Sequence, residues 1–151
     1  MDETGAPRRL WALPSWLLNR AAMHATRAVA ERVREAGVRR PHFTVLVALD
    51  EGGPSSQADL GRRLGIDRSD LHAVVNDLER DGLVTRERDE RDRRRNVIGL
   101  TPAGRDALRD LDARVEAAQA DLLAPLSAAE RQELERLLRR VVEHHAGRES
   151  G

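Results

Sequence analysis

Apolar residues along this chain recur at two different periods, and the change between them sets a short mixed segment between long helical flanks. From Pro14 to Ala36, the residues Leu17, Leu18, Ala21, Ala25, Ala28, Val29 and Val33 keep helical spacing, which predicts an amphipathic helix stopped by Gly37. A shorter helix is expected from Pro41 to Asp50, packing Phe43, Leu46, Val47 and Leu49 before a loop at Gly52, Gly53 and Pro54. In SSQADLGRRLGI, Ser56 stands three residues before Asp59 as a helix cap; Leu60, Leu64 and Ile66 form the stripe, and Gly65 ends the helix. A second helix begins at once. Asp67 is the acceptor for its first N–H groups, Asp70 complements its positive start, and Leu71, Val74, Val75 and Leu78 share one face.

After Gly82 the helical period is lost. Leu83 to Arg88 alternate loosely as a strand, Asn96 to Leu100 form a second run of strand type, and the intervening DERDRRR is too charged to be buried, so it is a protruding hairpin tip. Thr101 then caps another helix with Pro102 in its first turn. Along it Leu108, Leu111, Val115, Ala118 and Leu122 recur as a coiled-coil-like seam, too short for a free-standing coil. Pro125 interrupts the seam, and SAAE at 127–130 is a capping box for a last helix carrying Leu134, Leu137, Leu138, Val141 and Val142. The predicted fold class is mainly α with a small β-wing: a winged helix-turn-helix with N- and C-terminal dimerisation helices. The chain reads as a single domain, with dimerisation helices at 8–37 and 102–146, the winged lobe at 41–100 and a disordered tail at 147–151. Apolar stripes on long terminal helices, with few other partners in 151 residues, look built for association, with an intramolecular helix pair as the plainer alternative.

Charge narrows the chemistry. There are 26 basic residues, every one an arginine, against 26 acidic ones, so the formal net charge is zero and any attraction for a polyanion must be local. Residues 86–95 hold six arginines and four acids, and Arg93, Arg94 and Arg95 crowd one side of the tip next to Arg91. Asp92, two residues before Arg94, is placed to hold an arginine in a fixed direction, so that it enters a narrow minor groove. A bland alternative is a salt-bridge ladder that keeps the hairpin soluble. On the second helix of the pair, the face opposite the apolar stripe carries Arg68, Ser69, His72, Ala73 and Asn76. These groups suit a helix reading base edges in a major groove, though an ordinary solvated face would carry similar ones. Ser56 and Gln57, at the start of the first helix, are candidate contacts to the DNA backbone.

Other chemistries lack residues. Without cysteine there is no disulfide, thiol switch or thiolate ligand. His144 and His145 are adjacent on a helix and diverge by about 100°, so no metal and no cofactor is expected. No nucleophile with its base and no phosphate loop has recognisable spacing, which argues against an enzyme. No apolar run approaches the ~20 residues that span a bilayer, and no secretory pattern opens the chain, so a cytoplasmic protein without membrane contact is expected.

The motifs SQADLGRRLGIDRS, LERDGLV, DERDRRRNVIGL and LTPAG at 100–104 resemble the MarR (multiple-antibiotic-resistance regulator) family of transcription factors, over about Leu13 to Val142. The resemblance implies homodimers whose recognition helix, here residues 68–76, enters the major groove while a wing arginine, here Arg94, enters the minor groove. The chain departs from the family pattern at Arg68, where proline is common, and at Ala73, where a basic residue is common. Small aromatic effectors bind many family members between the dimer helices and the DNA lobe, which implies a ligand cleft near Trp11, Trp16, His42 and Phe43. From the residues alone, Trp16 and Phe43 read as core aromatics and His42 as a first-turn surface or interface histidine. The resulting expectation is a double-stranded-DNA-binding regulator, a ligand-responsive repressor acting as a homodimer on a pseudo-palindromic operator with half-sites ~34 Å apart. Its rival is a helical dimeric interaction protein that keeps the winged-helix fold without binding DNA.

Overall fold

A computed structural model of the chain describes Gly5 and residues 7–149, the side chains of 148 and 149 excepted. The elements are α1 (Arg8–Trp11), α2 (Pro14–Arg34), α3 (Arg40–Gly52), β1 (Ser55–Ser56), α4 (Gln57–Leu64), α5 (Arg68–Arg80), β2 (Val84–Arg88), β3 (Asn96–Leu100), α6 (Pro102–Leu122) and α7 (Ala128–Glu149). This is a winged helix-turn-helix with helical flanks, and each predicted helix forms within a few residues of its expected bounds.

The caps explain most boundaries. Ser56 Oγ accepts from Asp59 N at 3.1 Å, Asp67 Oδ1 accepts from Ser69 N at 2.8 Å, and Thr101 Oγ1 accepts from Gly104 N at 2.9 Å. Ser127 and Glu130 complete the expected capping box, each side chain accepting from the other's backbone N–H. The tight turn between α4 and α5 depends on Gly65, whose φ of 62° lies in the left-handed region that a side chain disfavours. Ile66 then donates its N–H to the Gly61 carbonyl and packs on the core.

Three antiparallel strands form one small sheet in the order β1-β3-β2. Ser55 faces Ile98 from one side while Arg86 faces it from the other, so β3 is the central strand. The two-residue β1 was not legible in the sequence, where Ser55 and Ser56 look like the end of a glycine-proline loop. Its pairing closes the sheet over α4 and helps bury Ile98 completely. The core beneath comprises Val33 of α2, Val45, Leu46 and Leu49 of α3, Leu60 of α4, Leu71, Val74, Val75 and Leu78 of α5, Val84, Ile98, and Leu108 and Leu111 of α6. All four apolar positions predicted on α5 are buried.

Two expectations about the flanks are corrected. The α6 seam lies against α2 and α3 of the same chain, with Leu108, Leu111 and Ala118 buried, so it is not left open for a partner. Arg32 with Asp121 at 2.7 Å and Arg114 with Glu35 at 3.3 Å tie α2 to α6 at their edges. The tail expected from residue 147 is helical through Glu149, Gly147 included; residues 150 and 151 of that tail lie outside the described residues. No helix among the described residues is long and apolar enough to cross a membrane.

Candidate nucleic-acid interface

The N-terminal ends of α4 and α5 and the base of the wing enclose an open groove of about 1020 Å³. Its lining includes Gln57, Arg68, Ser69, His72, Arg94 and Arg95. Burying Leu71, Val74, Val75 and Leu78 turns the opposite side of α5 outward, and Arg68, Ser69, His72, Ala73 and Asn76 are all exposed there. The same amphipathic arithmetic that builds the core therefore presents these five residues. Ala73, next to His72, and Asn76, one turn further along the helix, lie beyond the groove lining.

Not every candidate side chain is at liberty. Among the described residues no partner engages the guanidinium of Arg68, Arg91, Arg93 or Arg94, whereas Arg95 Nη2 donates to Ser56 Oγ at 2.9 Å and to Asp59 Oδ2 at 3.1 Å. Ser56 Oγ in turn donates to Asp59 Oδ2 at 2.7 Å, so this buried hydroxyl is fully used inside the protein. Arg62 pairs with the other oxygen of Asp59. Arg95 thus fastens the wing to the first turn of α4. Asp92 does not hold an arginine side chain, as its position suggested; its Oδ1 accepts from the backbone N–H of Arg94 at 3.0 Å, and its carbonyl accepts from Arg95 N at 2.9 Å. It shapes the tip, and the Arg94 side chain is left free. Gln57 Nε2 approaches His72 Nδ1 at 3.5 Å, and Asn76 Oδ1 accepts from Arg86 Nη2 at 2.6 Å. In the sequence Arg86 belongs to a strand and to the arginine-rich hairpin; its spacing from Asn76 gives no signal, because the contact depends on how β2 packs beside α5.

A model of the MarR family matches residues 36–95, the segment that contains this groove. The transcriptional repressor NicR of Pseudomonas putida is 30% identical over 130 residues, spanning 84% of this chain and 80% of NicR. The PcaV transcriptional regulator of Streptomyces coelicolor, solved in complex with its natural ligand, superposes with a TM-score of 0.71 at 32% identity, over 89% of this chain and 94% of that one. The chain belongs to the MarR family. It is accordingly a transcriptional regulator. A mutant MarR from E. coli complexed with operator DNA shares the fold, with a TM-score of 0.72 over 83% of this chain and 90% of that one at 23% identity.

The aromatic and histidine rings of this MarR-family protein occupy separate settings. Trp11 and Trp16 pair with ring centroids 5.3 Å apart, and the Arg20 guanidinium lies 5.6 Å from the Trp16 ring. Trp16 is half-buried and lies outside the core cluster, contrary to its reading as a core aromatic, because α1 covers it where a core element would. Phe43 does pack against the core. His42 is buried, not a surface histidine. Its Nδ1 accepts from Arg39 N at 3.2 Å, so the ring proton sits on Nε2 and donates to Asp77 Oδ2 at 3.1 Å, joining the start of α3 to α5. His144 and His145 stack edge to face with centroids 5.0 Å apart.

Three carboxylates in the lobe are held below the ordinary range. Asp59 is lowered by the Ser56 hydroxyl and by Arg62 and Arg95, Asp67 by the hydroxyl and N–H of Ser69, and Asp77 by His42 and Arg80. A carboxylate depressed on folding contributes stability above its unfolded pKa, and that contribution is lost as pH falls through the folded value. Melting temperature is therefore expected to drop as pH falls below about 4. In Asp67→Asn the fall should be shallower, and an unchanged acid slope would remove Asp67 from this account.

Proposed function

We propose that this MarR-family regulator is a homodimeric, ligand-responsive repressor that binds a pseudo-palindromic operator and occludes promoter DNA. The observation that carries the reading is the groove between the N-terminal half of α5 and the wing, with the free guanidinium of Arg68 on one side and that of Arg94 on the other. Among the described residues neither guanidinium has an internal partner, so both are free to meet a polyanion. Arg68, Ser69, His72, Ala73 and Asn76 approach base edges in the major groove, while Arg94 enters the minor groove with Arg91 and Arg93 along the phosphates. Gln57 supports the backbone contact, and Ser56, Asp92 and Arg95 hold the wing and α4 in place for it.

Dimerisation is supported by apolar surface that the chain itself leaves open. Leu13, Leu17, Leu18 and Met23 on the N-terminal side, and Leu137, Leu138, Val141 and Val142 on α7, are exposed, with Val142 at 65%. A second copy covering these faces sets two copies of α5 one helical turn of DNA apart, ~34 Å. PcaV, solved with its natural ligand, is the precedent for a bound ligand, and NicR for repression. The Trp11 and Trp16 pair and Arg20 offer an aromatic and cationic lining on the same helical flank as the open apolar residues.

Duplex binding across a salt series tests the reading. Neutralising about 6–10 phosphates makes affinity fall linearly in log salt, by roughly 10³ to 10⁵ between 50 and 200 mM. A protein that retains no duplex even at low salt is instead an interaction protein on the same fold.

A further inference from the structure

Arg86 lies mid-strand in β2, outside the groove, with its side chain only 18% exposed. Nη2 donates to Asn76 Oδ1 at 2.6 Å, Nη1 lies 3.9 Å from Glu79 Oε1, and Nε is buried with no partner among the described residues. An unsatisfied buried donor is costly, and a methionine would fill this space without it.

A guanidinium carries donors only, so the Asn76 atom facing it must be the amide oxygen. The bond is charge-assisted and short, which fixes the amide in one orientation with its NH₂ group turned away from Arg86. Asn76 is exposed on the same face of α5 as Ser69, His72 and Ala73, so the group it turns away from Arg86 is a pair of N–H donors. A free asparagine reads adenine with both ends of its amide, accepting from the N6 amino group while donating to N7. The oxygen keeps a second lone pair, but one already bonded to a cation is a poorer acceptor and leaves the NH₂ group a better donor, so Asn76 favours an edge that presents acceptors, guanine O6 and N7 or thymine O4.

We propose that Arg86 is a specificity-determining positioning residue: by holding the Asn76 oxygen it makes this turn of the recognition helix a hydrogen-bond donor, selecting a guanine or thymine and disfavouring the two-bond adenine mode. The proposal rests on the reading of α5 as the base-reading helix.

Selection from random duplexes by the parent, Asn76→Ala, Arg86→Met and Asn76→Asp tests it, with melting curves to show that each variant is folded. Asn76→Ala locates the base pair in each half-site whose preference depends on Asn76, and the parent is expected to take guanine or thymine there. Arg86→Met frees the amide, so adenine should gain about fivefold or more at that base pair alone. Asn76→Asp keeps an acceptor for Arg86 and presents a second carboxylate oxygen, so the same base pair should turn to cytosine or adenine, whose amino groups donate. That variant is nearly isosteric and tests whether the Asn76 donors read the base pair; if Arg86→Met does not fold, Arg86→Leu takes its place and should shift the same base pair toward adenine. An adenine or cytosine preference in the parent, or preferences unmoved in Asn76→Asp or folded Arg86→Met, overturns the role of Arg86 while leaving the regulator reading intact. A parent that selects no sequence overturns that reading and this inference with it.

Discussion

Alanine at Gly104 is expected to lower the melting temperature by roughly 6–12 °C, corresponding to about 3 kcal/mol in a chain of this length. A Cβ built there would lie 2.1 Å from the Leu83 carbonyl oxygen and 2.7 Å from Leu100 Cδ1. The carbonyl cannot retreat freely, since Thr101 N donates to it at 3.1 Å while Thr101 Oγ1 donates to the neighbouring Gly82 carbonyl at 2.8 Å. Helix propensity acts the other way, but alanine gains only about 1 kcal/mol over glycine inside a helix. The clash wins. Gly147→Ala is the matched comparison: it is also helical, and a Cβ there meets nothing within 4 Å, so its melting temperature should stay level or rise. Equal melting temperatures for the two variants would show that the contact between α6 and the start of β2 is looser than the geometry implies. The glycine of LTPAG is thus a close-approach residue, seating α6 directly on the lobe that carries the recognition helix.

Arg94→Ala is expected to weaken operator binding by roughly a hundredfold, because a dimer loses one charge-assisted contact in each half-site. The loss should be similar for every duplex tested, and the slope of log affinity against log salt should fall by about 2 for the dimer. Melting temperature should not move, since no described residue engages the guanidinium and the side chain is exposed. Affinity and slope equal to the parent's would remove Arg94 from the interface. A loss confined to some sequences would place it against base edges in preference to the minor groove. Arg95→Ala should behave differently: it breaks the bonds to Ser56 and Asp59, so its effect on binding should come with a lower melting temperature.

The contrast between Arg94 and Arg95 shows where sequence reading stops. Three consecutive arginines look alike in a string, and crowding at a hairpin tip is all that their spacing establishes. Only when β3 pairs with β1 does Arg95 come beside the cap of α4, 39 residues away along the chain. Asp92 shows the same limit at short range. Its offset of two from Arg94 was legible, but whether the carboxylate meets a side chain or a backbone N–H depends on how the tip folds. His42 was misread for a related reason: a polar residue in a first turn is usually exposed, yet here α5 lies across it and supplies Asp77.

Local pattern by itself determined the longer helices, the two wing strands, most of the caps, the buried face of α5 and hence the exposed identity of Arg68, Ser69, His72, Ala73 and Asn76. Those properties follow from period, capping chemistry and the exclusion of charge from the core, all of which act within a few residues. Tertiary structure decided which of the polar groups remain available. Hydrogen-bond partners come from β1, β2 and α3, elements distant in sequence whose approach is fixed by the packing of the core. That packing leaves Arg68 and Arg94 free, engages Arg95, Ser56 and His42, and turns the amide of Asn76 so that its donors face outward.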